Sequence, residues 1–446
     1  MRERRLPRRF VMVPVTKRLF PDHSSVRHSA SATGQIEPCA RLTENLAAAI
    51  LAQSVSWWSL TSSHAFGGRT QEAHALNVAV SVSAFLIFFG ATKTVSAAAI
   101  SIEETTITQL QAAYLKGKTT AREVTQAYLD RIAAYDKRGP YLNALITVNS
   151  QVLADAARLD SALKSTGKLG GPLHGILIIV KDNIDTSDMP TTYGVALFKD
   201  FVPAKDAFIV RRLRAAGAII LAKSSLSELA MGLTDTINSV LPGFTRNPYN
   251  TAYASGGSSG GTGVAIAANF GTVGIGTDTG GSVRAPSSIN NLVGIRPTVG
   301  LVSRTGMAPL DSQRDTPGPM ARSVEDAARL LDVIAGVDPT DARTLAAETR
   351  IPPTYTTFLD KAGLRGARIG VLRQSLRLQD GVDPRVAALF ETAIADLRRA
   401  GAQIVDDFTV RFRKISASTA NTGPEQGRLG KFLCLRRAEV PRSNSG

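Results

Sequence analysis

The chain has 446 residues, of which 43% are hydrophobic and 20% are charged, with 38 glycines and 21 prolines. This composition is ordinary for a globular protein and excludes a disordered, fibrous or collagen-like chain. The formal net charge is +15, but residues 101–410 hold 33 Lys and Arg against 30 Asp and Glu, a balance of +3. The flanks supply the rest, so the charge does not indicate that the centre of the chain binds nucleic acid.

The N-terminal 100 residues form an irregular extension with an arginine-rich start and no sustained periodicity. The uncharged stretch 73–92 is followed by Lys93 and then by Val95–Ala99, which has the A-x-A pattern of a signal-peptidase site. The segment 73–99 therefore predicts a secretory signal peptide and a secreted or periplasmic location, with a start placed too far upstream. The alternatives are a signal-anchor or membrane-spanning helix, with membrane contact only through 73–92, and a cytoplasmic protein.

From residue 101 onward, predicted helices alternate with short buried strands. Apolar residues at helical spacing predict helices at 107–115 and 120–135, and Glu123 lies at capping-box distance from Thr120. The pattern then predicts helices at 149–163, 207–216, 260–269, 323–335 and 384–399, and strands at 176–180, 218–222, 272–276, 368–372 and 403–406. This alternation indicates one α/β domain over 101–410, with a mixed sheet and helices on both of its faces. The pattern ends in an atypical basic tail, 411–446.

Residues that usually bind metals or form disulfides are scarce in the predicted domain. The two cysteines, Cys39 and Cys434, lie at opposite ends of the chain, and His174 is the one histidine between residues 101 and 410. The sequence therefore predicts no disulfide framework, no zinc site built on cysteines and no His-rich metal site.

The stretch 256–286 is rich in glycine and serine, and three common motifs can be tested against it. It lacks the Gly-Lys of a phosphate-binding loop. After Gly274 and Gly276 the third glycine of a dinucleotide fingerprint comes one residue late, which leaves nucleotide binding as a minor alternative. Residues 256–260 fit the G-x-S-x-G elbow of α/β-hydrolases, but that fold needs a histidine after the serine, and none follows His174.

Lysine is the base that remains for these serines. Lys181 directly follows the apolar strand 176–180, at the strand end where open α/β sheets usually place their sites. Burial there would lower its pKa by up to roughly 3–5 units and free the amine near neutral pH. For each of these residues taken singly, a structural role is the alternative. In that interpretation Lys181 extends to solvent, Ser258 and Ser259 cap a helix, and His174 forms a hydrogen bond within its own loop.

Several ordered motifs resemble the amidase signature family. They are Gly171–Asn183 (GPLHGILIIVKDN), Gly256–Gly261 (GGSSGG), Gly276–Pro286 (GTDTGGSVRAP), Gly294–Gly300 (GIRPTVG) and Thr316–Asp326 (TPGPMARSVED). A set of motifs in order is much harder to match by chance than one short pattern. The resemblance covers about residues 101–410 and implies a serine hydrolase that cleaves a small-molecule amide without metal or cofactor.

The resemblance also implies the catalytic residues. The family's Ser–cis-Ser–Lys triad falls on Ser282, Ser258 and Lys181, with the cis peptide at Gly257–Ser258. Ser282 is then the nucleophile that takes the acyl group. Lys181 is the general base, acting through the bridging hydroxyl of Ser258, and later the acid that protonates the leaving amine.

The same resemblance implies an oxyanion hole and its support. The backbone N–H groups of Thr279, Gly280, Gly281 and Ser282 are expected to face the substrate carbonyl oxygen. Asp278 and Arg284 are expected to hold this loop in place, and a purely structural ion pair is the alternative for these two residues.

The end of the chain departs from the family, whose members usually continue well beyond residue 410. The tail after Val410 does not resemble that continuation, so we expect a truncated or mistranslated terminus, or a fragment. A catalytically silent remnant is therefore the alternative to an active amidase. The substrate is open among aliphatic, aryl, peptide and fatty-acid amides and the glutamine-dependent tRNA amidotransferase reaction. The export signal argues against the last.

Overall fold

A computed structural model of the protein describes residues 101–232, 238–239, 241–373 and 382–406. The predicted N-terminal extension with its signal-like segment 73–99, and the basic tail 411–446, lie outside the described residues. Within the described ranges, no helix combines the length and the apolar character needed to cross a membrane.

The strands of the described residues form one large sheet and two small ones. In chain order they are β1 (Leu145–Val148), β2 (Leu177–Lys181), β3 (Ile219–Ser224), β4 (Asn238–Ser239), β5 (Gly243–Phe244), β6 (Val273–Asp278), β7 (Val293–Gly294), β8 (Thr316–Ala321), β9 (Arg368–Gly370) and β10 (Gln403–Val405). The large sheet has the order β1-β3-β2-β6-β8-β7. Strands β3, β2 and β6 are parallel, whereas β1, β8 and β7 pair antiparallel with their neighbours.

Helices surround this mixed sheet. In chain order the α-helices of the described residues are α1 (Ile107–Leu115), α2 (Ala121–Tyr135), α3 (Val152–Thr166), α4 (Phe208–Ala215), α5 (Gly260–Ala267), α6 (Arg284–Ile289), α7 (Val324–Ile334) and α8 (Pro384–Arg399). Helix α5 packs across β1, β3, β2, β6 and β8, while α7 packs against α4 and β8. The sheet flanked by helices confirms the predicted α/β fold.

The centre of the core lies in the middle strands. Ile178, Ile179 and Val180 of β2, the strand between β3 and β6, are completely buried. Val264 and Ile266 of α5, which packs on these strands, are completely buried too. Burying one such side chain contributes about 1.5–3 kcal/mol to stability. The last residue of β2 is completely buried as well.

Local signals explain where several helices begin. The Thr120 hydroxyl accepts a hydrogen bond from the backbone N–H of Glu123, and the Glu123 carboxylate accepts one from the backbone N–H of Thr120, as the capping box predicts. The predicted helix at 149–163 begins later, at Val152, because the Asn149 side chain accepts from the N–H of Gln151 and forms a turn there.

Two features of the sheet differ from the pattern-based prediction. Strands β1 and β8 belong to the large sheet, although the pattern predicts no strand at either place. The predicted strands at 368–372 and 403–406 are present as β9 and β10, but within the described ranges they pair with each other in a separate parallel sheet and not with the large one.

Candidate active site

Lys181 ends β2 and is completely buried. Its Nζ lies 2.8 Å from the Oγ of Ser258 and 2.8 Å from the Oγ1 of Thr277. The side chain therefore does not reach solvent, and both of its close partners are neutral hydroxyls.

The electrostatics of the site favour the free amine. Burial lowers the pKa of Lys181 from 10.5 to about 7, because an ammonium loses its hydration inside the protein. The negative charges of Asp278 and Asp315 act in the opposite direction, but they do not cancel the effect of burial. At neutral pH the neutral amine is thus well populated, and its lone pair can accept a proton from a hydroxyl.

A second buried lysine next to this site has a different environment. Lys223 of β3, the strand that pairs with β2, is completely buried. Its Nζ lies 2.9 Å from a carboxylate oxygen of Asp182, which is also completely buried, and 2.7 Å from the Oγ1 of Thr191. Lys223 thus contacts a carboxylate, whereas the close partners of Lys181 are hydroxyls.

Ser258 lies just before α5 and is completely buried. The Gly257–Ser258 peptide bond is cis, as the resemblance implies. The carbonyl of Ser258 accepts a hydrogen bond from the N–H of Ser227, at 3.1 Å. Backbone contacts therefore fix the position from which the Ser258 hydroxyl meets Lys181.

Ser259 joins α5 to the neighbouring strand and loop. Its N–H donates to the carbonyl of Ser282 at 3.2 Å. Its Oγ accepts from the N–H of Thr277 and donates to the carbonyl of Thr277, both at 3.2 Å. Ser259 occupies the N-cap position, yet its side chain does not cap α5, so its hydroxyl connects the helix start to β6 instead.

The first turn of α5 approaches β3 closely, which brings Ser258 near Lys181. A Cβ added to Gly261 would lie 2.3 Å from the carbonyl oxygen of Ser225 and 2.6 Å from that of Ala144. Only glycine permits this approach of helix and backbone.

Ser282 lies in the loop that follows β6 and is 4% exposed. The loop turns at Gly281, whose φ of +134° is a conformation that residues with a Cβ rarely adopt. The Asp278 carboxylate accepts from the N–H groups of Gly281, at 2.8 Å, and Val283, at 3.1 Å. Asp278 is thus the main anchor of the loop.

Two arginines complete the anchor. Arg284 lies 3.1 Å from one oxygen of Asp278, and Arg296 lies 3.0 Å from the other. The hydrogen bonds to Arg284, Val283 and Gly281 more than offset the effect of burial and lower the pKa of Asp278. Asp278 therefore contacts Arg284 and also Arg296, which the sequence does not predict.

The four N–H groups predicted for the oxyanion hole are not equivalent. The N–H of Gly281 points to Asp278, so it is not available to a substrate oxygen in this conformation. The N–H groups of Thr279, Gly280 and Ser282 have no acceptor within the part of the chain that the structure describes. Three donors thus remain, because the fourth holds the loop in place.

A backbone hydrogen bond connects Ser282 to the residue that follows Ser258. The hydroxyls of Ser258 and Ser282 do not share a hydrogen bond here, and the carbonyl of Ser282 accepts from the N–H of Ser259. Catalytic hydrogen bonds in an empty site are often absent or long and form only with substrate bound.

Besides Arg296, sequence reasoning misses three residues of this site. Thr277 contacts both Lys181 and the amide of Asn183, and Asp315 binds Thr279. Thr277 and Asn183 lie inside the quoted motifs, one residue before Asp278 and two residues after Lys181, so their position was a usable signal. Asp315 lies just outside a quoted motif, directly before β8, and offered none.

Two further points concern residues outside the triad. His174 accepts a hydrogen bond from the N–H of Gly170 at 3.0 Å, so it bonds its own loop. Among the described residues, no group of three or more His, Cys, Asp or Glu side chains is arranged to hold a metal ion.

Comparison with known proteins gives consistent matches. A family model described as Amidase matches residues 123–421. The chain is 39% identical over 307 residues to a glutamyl-tRNA(Gln) amidotransferase subunit of Salinispora arenicola, which covers 68% of this chain and 61% of that protein. The corresponding subunit of Thermosynechococcus vestitus is 42% identical over 308 residues, with 69% and 61% covered. The chain thus spans about six tenths of the length of these curated relatives.

Solved structures agree with this match. The peptide amidase of Stenotrophomonas maltophilia is 42% identical, with a TM-score of 0.68 over 75% of this chain and 69% of that chain. An amidase family protein of Bacillus anthracis is 34% identical, with a TM-score of 0.69 over 75% and 66%. The matched residues, the sheet and the order of the motifs lead to one conclusion, that the chain belongs to the amidase signature family.

Proposed function

We propose that this protein is an amidase that hydrolyses a carboxamide to a carboxylate and ammonia or an amine, through an acyl-enzyme on Ser282. The observation that carries the proposal is the buried Lys181, whose pKa is lowered to about 7 and whose Nζ meets the hydroxyl of Ser258 at 2.8 Å. A lysine in this state can serve as a general base at neutral pH.

In the acylation step, the Ser282 oxygen bonds to the amide carbon and gives its proton to Ser258, while Ser258 gives its own proton to the Lys181 amine. Substrate binding turns the Ser282 hydroxyl toward Ser258 for this transfer. The Lys181 ammonium then returns the proton through Ser258 to the leaving nitrogen, and the C–N bond breaks. Water attacks the resulting ester by the same relay, which releases the carboxylate and restores Ser282.

The negative charge that develops on the carbonyl oxygen needs donors that are already in place. The N–H groups of Thr279, Gly280 and Ser282 support this role, since they have no acceptor among the described residues. Each such donor typically contributes about 3 kcal/mol in the transition state. Asp278, with Arg284 and Arg296, keeps the loop in position.

The comparisons support an amide as the substrate. Similarity to a peptide amidase and to glutamyl-tRNA(Gln) amidotransferase subunits is consistent with a carboxamide, and the substrate proposed here is a small or peptidyl amide that needs no nucleic acid. The amidotransferase names are those of subunits, so partner chains are the alternative. A secreted or periplasmic location stays a prediction.

A fluorophosphonate probe and an ammonia-release screen of amides test the proposal on the purified full chain. We expect labelling of the wild-type protein that disappears in Ser282→Ala, and ammonia release from at least one amide that depends on both Ser282 and Lys181. Folded wild-type protein that neither labels nor releases ammonia would instead support the silent remnant.

A further inference from the structure

Asp315 is a buried carboxylate that the proposed mechanism does not use. It lies directly before β8 and is 3% exposed. One of its oxygens accepts from the hydroxyl of Thr279, and the other accepts from the N–H groups of Leu310, at 2.8 Å, and Asp311, at 2.9 Å. Within the described ranges no cation pairs with Asp315, whereas Asp278 has two arginines. Three donors therefore hold a charge that has no counter-ion in contact.

The bond to Thr279 links two strands at the catalytic end of the sheet. Strands β6 and β8 are antiparallel, and Asp278 pairs with Thr316. The residue after Asp278 and the residue before Thr316 are thus neighbours, and Asp315 uses this to hold the side chain of Thr279. Thr279 is the first residue of the loop that carries Ser282, so the loop is fixed by Asp315 at its start and by Asp278 further along.

The negative charge of Asp315 also acts on Lys181, the proposed base. Together with Asp278 it raises the pKa of Lys181 against the effect of burial. Burial raises the pKa of Asp315 itself, while the bonds from Thr279, Leu310 and Asp311 oppose this. One carboxylate thus acts on both the geometry of the loop and the protonation of Lys181.

We propose that Asp315 is a positioning residue, whose carboxylate fixes Thr279 at the start of the loop that carries Ser282. The inference rests on the proposed function. Asp315 does not touch the reacting atoms, so its effects pass through Thr279 and Lys181.

Other charged groups surround this pair, and any pH dependence is read against them. Apart from Asp278 and Asp315, they are Asp182 and Lys223 from β2 and β3, Arg284 and Arg296 from the Ser282 side, and Asp311, Arg314 and Arg304 from the turn before β8. Each of these groups contacts a partner of opposite charge other than Asp315.

The test measures the rate at which a fluorophosphonate labels Ser282 across a pH series, which needs no knowledge of the substrate. In Asp315→Asn we expect labelling at the plateau to slow at least tenfold. The pH of half-maximal labelling should also fall by about half a unit or more, because loss of the negative charge lowers the pKa of Lys181.

Two further variants separate position from charge. Thr279→Val removes the hydroxyl and leaves the carboxylate, so labelling should slow about tenfold with the midpoint unmoved. Asp130→Asn, the same change at an exposed position of α2, serves as the control and should leave rate and midpoint as in the wild type. Circular dichroism checks that each variant is folded.

The outcomes are distinct. An unmoved midpoint in folded Asp315→Asn overturns the charge effect, and labelling within twofold of wild type in Thr279→Val overturns the positioning role. If Asp315→Asn does not fold, Thr279→Val alone tests the positioning role. The charge effect is then tested with Asp315→Glu, which keeps the negative charge and should keep the wild-type midpoint. Absence of labelling in the wild type would reject the proposed function, whereas the other outcomes reject only this inference.

Discussion

Lys181 owes its proposed role to the kind of partners that it has. Its close neighbours are the hydroxyls of Ser258 and Thr277, which satisfy the amine without adding charge. The nearby carboxylates act from further away and weaken the effect of burial without reversing it. A carboxylate in direct contact would favour the ammonium and remove the base.

Replacing Lys181 should abolish catalysis and leave the fold in place. For Lys181→Met we expect turnover to fall by at least about a thousandfold, since general-base catalysis typically contributes 10²–10⁴-fold. The apolar chain of Met fits the buried site. Initial rates of ammonia release and a thermal unfolding curve measure the two effects. Lys199→Met, at an exposed position, is the control, and wild-type rates in Lys181→Met would contradict the assignment of the base.

The rate should rise with pH through about 7. Above the pKa of Lys181, which burial lowers to about 7, the free amine accepts the proton; below it the ammonium cannot. The acid limb of kcat/KM against pH should therefore have its midpoint near that value. A profile that is flat from acidic to alkaline pH would be inconsistent with a titrating lysine.

At the scale of elements, the sequence predicts what local chemistry determines. Helices α1 and α8 have the predicted bounds, because caps and apolar spacing act within a few residues. The prediction fails for β8, because Pro317 and Pro319 argue against an interior strand. The carbonyl of Pro319 accepts a hydrogen bond from the N–H of Ile295, the residue after β7. The ring nitrogen of Pro319 lies on the same side of β8, so it faces the two-residue strand β7 and not β6.

In the candidate site, too, local features were predictable from the sequence and contacts between distant residues were not. The burial of Lys181 follows from the apolar strand that precedes it, but its contact with Ser258 depends on residues 77 positions apart. Spacing alone cannot predict such a contact; resemblance to a family can. Arg296 lies inside the quoted motif Gly294–Gly300, and Asp315 directly precedes the motif Thr316–Asp326, but a motif does not show which distant residue a side chain contacts, so neither was expected.

The turn after β6 should depend on one of its two glycines. Gly281→Ala places a Cβ at a φ of +134° and should lower the free energy of unfolding by about 1–3 kcal/mol. Gly280→Ala is the matched control, since its Cβ would meet no atom within 4 Å. Urea unfolding of both variants measures the difference. Equal stabilities would show that the turn tolerates a side chain at either position.

At the scale of the whole molecule, the proposed base, the proposed nucleophile and the proposed oxyanion donors all come from one end of the sheet. Lys181 ends β2, Ser258 precedes α5 and Ser282 follows β6. The side chains and backbone of the described residues thus offer a group for each role in the proposed mechanism.

A chelator should therefore leave the rate of ammonia release unchanged. The proposed chemistry uses the Lys181 amine and backbone N–H groups where metallohydrolases use a metal-bound water. Prolonged dialysis against EDTA, with a zinc peptidase as the positive control for metal removal, measures this. A loss of activity that added divalent cation restores would contradict the mechanism.

The two buried lysines on neighbouring strands have a consequence for covalent chemistry. Only an amine with a free lone pair attacks an electrophile, and burial lowers the pKa of Lys181, whose close partners are hydroxyls, whereas Lys223 contacts the carboxylate of Asp182. A reagent as small as cyanate should therefore carbamoylate Lys181 faster than Lys223, although both are equally hidden from solvent. Burial by itself would then not determine how a lysine of this sheet reacts; the chemistry of its nearest neighbour would.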